Sequence, residues 1–101
     1  MNLIQKYFEP SWDYETLDDR LTVEVDLPGV SPQDIQLEVK NRRLYISAAK
    51  KRLNQEMKIE KYFLLPSDVD ENEIAAESKH GVLHITIPKK AEAKPKKILI
   101  S

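Results

Sequence analysis

The chain has no cysteine, only two glycines, seven aromatic residues and no long apolar run, and each shortage removes a class of function. Without cysteine there is no disulfide framework, no thiol nucleophile and no thiolate metal site. With only Gly29 and Gly81, a glycine-rich phosphate cradle cannot be built. No apolar stretch approaches the roughly 20 residues of a membrane span. Met1–Pro10 lacks the apolar core of a secretory signal, so the expected location is cytoplasmic. Sixteen basic residues nearly cancel seventeen acidic ones, leaving no one-sign field to draw in nucleic acid or an anionic membrane. His80 and His84 stand four apart, but on a turn and an extended segment rather than on one helix face. The serines have no nucleophile-elbow context. No catalytic residue, metal or cofactor is expected.

Period-two alternation runs through most of the 101 residues. Leu21, Val23, Val25 and Leu27 alternate with polar residues, then Pro28-Gly29 turns the chain. Ile35, Leu37 and Val39 mark a second strand. Leu44, Ile46 and Ala48 mark a third, joined to the second by a tight Asn41-Arg42 turn. Met57, Ile59, Phe63 and Leu65 share one parity with Lys61 in a long strand ended by Pro66. Ile74, Ala76 and Ser78 alternate, as do Leu83, Ile85 and Ile87 after Gly81. Short strands punctuated by turns predict an antiparallel β-sandwich of about seven strands. Between them, Lys50–Glu56 reads as a polar loop. Ser67–Asn72 reads as a turn whose one helical turn would be capped by Ser67 or Asp68.

The two ends break this pattern. Residues 1–18 read as an arm with Leu3, Ile4, Tyr7, Phe8 and Trp12 at near-helical spacing. A short amphipathic helix limited by Pro10, an end docked by its aromatics and an adhesive segment for other chains all remain open. Residues 19–88 form the expected domain. Residues 89–101 begin with the charged KKAEAKPKK, which cannot bury enough surface to offset its ordering and reads as a mobile linker. They finish on Ile98-Leu99-Ile100, an apolar tripeptide with no local core. Arg42-Arg43 and Lys50-Lys51-Arg52 are basic clusters, read as solvated surface given the neutral balance.

Ala76-x4-Gly81-Val82-Leu83-x-Ile85-x-Ile87-Pro88 resembles the signature of the α-crystallin domain of small heat-shock proteins. Leu27-Pro28-Gly29-Val30, Phe63-Leu64-Leu65-Pro66 and the terminal Ile98-Leu99-Ile100 resemble further family elements in the same order. The resemblance implies an immunoglobulin-like sandwich and ATP-independent holding of partly unfolded client proteins. It also implies homo-oligomers and onward partnership with ATP-dependent refolding chaperones. The family's I-x-I tail docks in a groove between edge strands of a neighbour. Carried onto this chain, that groove is lined by Leu37 and Val39 on one side and Ile74, Ala76 and Ser78 on the other.

Two departures shape the expected assembly. Bacterial and plant members carry a long loop holding a strand that swaps onto the partner, whereas here only Lys50–Glu56 is available. Strands average about 5–6 residues before any turn, so the swapped dimer is not expected. Edge-to-edge pairing along Met57, Ile59, Lys61 and Phe63 is the candidate replacement. The arm is also short, which argues against large cages. The alternative function is a CS-like sandwich adaptor, a co-chaperone that binds a folded partner and holds no clients.

Overall fold

The computed structural model describes residues 4–7 and 9–101, with eight strands and no α-helix among them. These are β1 Ile4–Tyr7, β2 Trp12–Thr16, β3 Arg20–Asp26, β4 Ile35–Lys40, β5 Arg43–Arg52, β6 Gln55–Leu64, β7 Ala75–Lys79 and β8 Val82–Pro88. They form two four-stranded sheets, β1-β6-β5-β4 and β2-β3-β8-β7. Every pair is antiparallel except β1 with β6. The all-β sandwich expected from the alternation is therefore present.

The core follows directly from that alternation. Side chains two apart share a face of a strand, and the register stacks Leu21, Val23 and Val25 with Ile87, Ile85 and Leu83. Opposite them, Leu44, Ile46 and Ala48 pair with Phe63, Lys61 and Ile59. Val25, Ile46, Ile59, Ile85 and Ile87 are fully enclosed, and no buried side-chain polar atom among the described residues lacks a partner.

The turns obey the backbone. Asn41 and Arg42 take φ of 51° and 60°, the two left-handed residues of a tight hairpin. Gly81 sits at φ 77°, and a Cβ there would stand 3.4 Å from the Pro28 Cα. The left-handed φ is what favours glycine here, since a Cβ would only reach ordinary contact with Pro28.

Three expectations need correction. The near-helical spacing at the arm does not produce a helix over the described residues. Ile4–Tyr7 and Trp12–Thr16 are strands, because backbone pairing with β6 and β3 satisfies amides that a helix this short could not stabilise. Leu3 and Phe8 lie outside the described residues. Lys50–Glu56 is not a loop: β5 runs to Arg52 and β6 begins at Gln55, leaving only Leu53-Asn54 as a two-residue turn. The polar composition suggested a loop, but a ladder in register needs no apolar pattern. Finally, the turn before β7 is a 3-10 turn, Glu71–Glu73, capped by Asp70 rather than by Ser67 or Asp68. The Asp70 carboxylate accepts from the Asn72 amide at 3.0 Å.

Leu53 adopts φ 56° with its side chain 98% exposed, at a turn position that favours glycine. Chemical denaturation should separate this residue from the core. Ile59→Ala should cost about 2–5 kcal/mol by opening a cavity. Leu53→Gly should cost nothing and gain up to about 1 kcal/mol by relieving a left-handed leucine.

Candidate functional site

A four-on-four sandwich encloses its centre but not its seams. Trp12 of β2 packs edge-on against Phe63 of β6, ring centroids 4.8 Å apart, so β2 lies beside β6 along one seam. The sheet orders then place β7 with β4 along the other.

At the β4/β7 seam, register identifies which residues face inward. Ile35, Leu37 and Val39 stand opposite the buried Ala48, Ile46 and Leu44, yet are only half-buried. Ala76 and Ser78 stand opposite the buried Ile85 and Leu83. Ala76 is nevertheless exposed and Ser78 half-buried, while Ile74 packs on the rim of the core. Leu37 and Val39 of β4 and Ala76 and Ser78 of β7 thus carry the core-facing parity of two edge strands, with Ile74 just ahead of β7, and this side of the sandwich is incompletely covered.

The tail does not fill it within the same chain. Ile98, Leu99 and Ile100 are 86%, 95% and 96% exposed. The root of the tail is fixed: the Lys89 amide donates to the Asp19 carbonyl and the Lys90 amide to the Asp68 carbonyl. A 3-10 turn over Ala91–Ala93 follows. The stretch expected as a uniform linker therefore starts with an anchored segment.

The β2/β6 seam is aromatic. Trp12 and Tyr14 face inward by register with Val25 and Val23, yet remain 41% and 60% exposed. Between the rings lies Lys61, inward-facing opposite Ile46, with a side chain only 17% exposed. Its ammonium sits 4.9 Å from the Trp12 ring centroid and 5.4 Å from that of Phe63, and it donates to the Glu9 carboxylate. Cation–π attraction to the two rings and the ion pair with Glu9 together hold the ammonium in place. Sequence reasoning noticed the parity of Lys61 but missed this cage, two of whose members, Glu9 and Trp12, lie in the arm. The alternation of Trp12, Tyr14 and Thr16 with Asp13 and Glu15 was the available signal.

The candidate dimer edge spans several environments. Ile59 is core, Met57 is half-buried, and Phe63 and Lys61 line the aromatic seam. Beside Met57 the edge of β6 is already paired, by Lys6 of β1.

The basic clusters have local partners. Arg42 donates to the Leu65 carbonyl at 3.2 Å, Arg43 lies 5.6 Å over the Tyr62 ring, and Lys50 donates to the Pro28 carbonyl at 2.7 Å. His80 occupies the turn before Gly81. His84 stands on the outer face, 3.3 Å from Glu24. No group of three or more metal-ligating side chains occurs among the described residues. No helix is long and apolar enough to cross a membrane.

Known proteins share this arrangement. Residues 13–101 match the model of the Hsp20/alpha crystallin family. Small heat shock protein C4 of Rickettsia felis is 38% identical over 109 aligned positions, covering 95% of this chain and 66% of that protein. Small heat shock protein C2 of the same organism is 32% identical, covering 93% of this chain and 69% of that one. Spore protein SP21 of Stigmatella aurantiaca is 29% identical, and the chain covers 63% of its length. Among solved structures, a small heat-shock protein from Xylella fastidiosa superposes with a TM-score of 0.77 at 28% identity, covering 93% of this chain and 97% of that one. Its crystal structure reveals a distinct high order structure. With the match extending over nearly the whole sandwich, both seams and the tail, the chain belongs to the Hsp20/alpha crystallin family of small heat-shock proteins.

Proposed function

We propose that the protein is an ATP-independent holdase that binds partly unfolded proteins and keeps them from aggregating, working in the cytoplasm as a homo-oligomer. The observation carrying this reading is the pairing of an open apolar seam with an undocked apolar tail. Leu37, Val39, Ile74, Ala76 and Ser78 face a core they do not close, and Ile98 and Ile100 stand in solvent at the end of an anchored extension.

The energetics suit exchange rather than permanent closure. Burying two isoleucines contributes on the order of 3–6 kcal/mol. Association costs of similar size make one free tail a weak ligand. A tail tethered at Lys90 reaches at most roughly 26–29 Å to Ile98, which confines it near adjacent subunits and raises its effective concentration. Apolar client segments compete for the same seam, and hydrophobic burial drives either exchange without nucleotide. Clients released in a refoldable state would pass to ATP-dependent chaperones. On this reading 89–101 is the extension and 1–18 the arm, whose strands β1 and β2 add to the sandwich of residues 19–88.

Light scattering with a heat-labile client tests the holdase directly. Suppression near equimolar ratio without ATP is the expected result. No suppression at large excess favours the CS-like adaptor that binds a folded partner.

Two variants test the tail. Ile98→Ala with Ile100→Ala should leave the thermal unfolding midpoint unchanged, because both side chains are exposed, and should reduce assembly mass in light scattering across concentrations. Wild-type mass throughout would remove the tail from assembly. Ala76→Trp should be tolerated at an exposed position and, by filling the seam, should reproduce the mass loss of the tail variant. A full-sized assembly from the Ala76→Trp chain would place the tail elsewhere.

A further inference from the structure

We infer that the outer face of the β2-β3-β8-β7 sheet is an acidic track that binds the lysine-rich stretch of the extension of a second copy. This deepens the oligomer reading above and rests on it, but the contact is ionic and lies outside the apolar seam.

The near-neutral total conceals a segregation of charge. Five of the sixteen basic residues, Lys89, Lys90, Lys94, Lys96 and Lys97, lie in the extension, beside one of the seventeen acidic residues, Glu92. The rest of the chain carries eleven basic and sixteen acidic side chains. None of the five lysines pairs with a carboxylate among the described residues, and Lys94, Lys96 and Lys97 are exposed.

Alternation gathers much of the acidic excess on one surface. Side chains of this sheet that share no parity with Val23, Val25, Leu83 and Ile85 face outward, and they include Asp13, Glu15, Glu24, Asp26 and Glu77. Lys79 and Arg20 are the basic residues of that parity, and Arg20 is already paired with Asp19. Register aligns Asp13, Glu24, His84 and Glu77 in one row across all four strands. Asp13 and Glu24 are directly opposite, a like-charge pair that destabilises the sheet on its own. A cationic segment laid along the row relieves that repulsion.

The dimensions agree. Three strand spacings separate Asp13 from Glu77, about 14 Å. Extended chain from Lys94 to Ile98 spans about 13–14 Å in four steps. The row ends on β7, the strand that also carries Ala76 and Ser78. A linker with Lys94, Lys96 and Lys97 over the carboxylates therefore delivers Ile98 to the edge of the β4/β7 seam. The chain's own extension is rooted at Asp19 and Asp68 and leaves its lysines unpaired, so the track is vacant for a neighbour's. Extension of one copy on face of the next is a heterologous contact. Each exposed ion pair is weak, so the contact needs several in line and weakens with salt.

Two variants of the whole chain test this. One reverses the row with Asp13→Lys, Glu24→Lys and Glu77→Lys. The other reverses the linker with Lys94→Glu, Lys96→Glu and Lys97→Glu. Within either variant, face and linker have the same sign. In an equimolar mixture each linker again meets a face of opposite sign, on another molecule. Sedimentation velocity is read at about 50 mM and about 500 mM NaCl, with circular dichroism to verify folding.

Wild type should associate about tenfold more weakly at the higher salt. Either variant alone should be weaker than wild type by about tenfold at the lower salt, and the mixture should recover to within about threefold of it. A mixture no tighter than its separate components would overturn the inference, as would wild-type association by either variant alone. If the lysine-bearing face does not fold, Asp13→Asn, Glu24→Gln and Glu77→Gln takes its place and should remove the salt dependence; salt dependence retained there refutes the track. Ile98→Ala with Ile100→Ala separates the track from the seam. Wild-type mass from that variant, with recovery in the charge mixture, removes the seam contact and upholds the track. Lost mass from it, with charge variants that match wild type, upholds the seam contact and removes the track.

Discussion

A two-layer sandwich must cover two seams as well as bury one centre, and four strands per sheet do not cover both here. The centre is closed by Val25, Ile46, Ile59, Ile85 and Ile87. Alternation then obliges the outermost strands to present the same parity inward, whether or not anything lies opposite. Val39, Leu37 and Ala76 at one side, and Trp12 and Tyr14 at the other, are core-facing residues without complete cover. The proposed binding site rests on this shortfall.

The two seams differ in chemistry. The β4/β7 seam has aliphatic side chains on β4 and small ones on β7, and is the site proposed for the tail. The β2/β6 seam is aromatic and already holds an ammonium and a carboxylate of its own chain.

Much of this was legible in the amino-acid sequence because burial on one face writes itself as alternation. The strands from Leu21 to Ile87 and the Asn41-Arg42 turn fall where the pattern put them. What was missed has a common physical origin. The outer halves of β5 and β6, from Lys50 to Glu56, carry no apolar alternation, so only the backbone ladder defines them. β1 likewise exists through pairing with a distant strand. The Lys61 cage draws its members from Glu9, Trp12 and Phe63, a sequence separation that no local pattern reports. By contrast, the strand Trp12–Thr16 does alternate, but Trp12 also stands at near-helical spacing from Leu3, Ile4, Tyr7 and Phe8.

The account rests on the β4/β7 seam being the receptor for the apolar tail. Its most direct test is an NMR titration of isotopically labelled protein with a peptide of residues 95–101. The account predicts shifts concentrated on Leu37, Val39, Ile74, Ala76 and Ser78, saturating at weak affinity and absent when the peptide carries alanine in place of both isoleucines. Shifts centred on Trp12, Tyr14 and Phe63, or none at peptide concentrations well above the protein's, would contradict it.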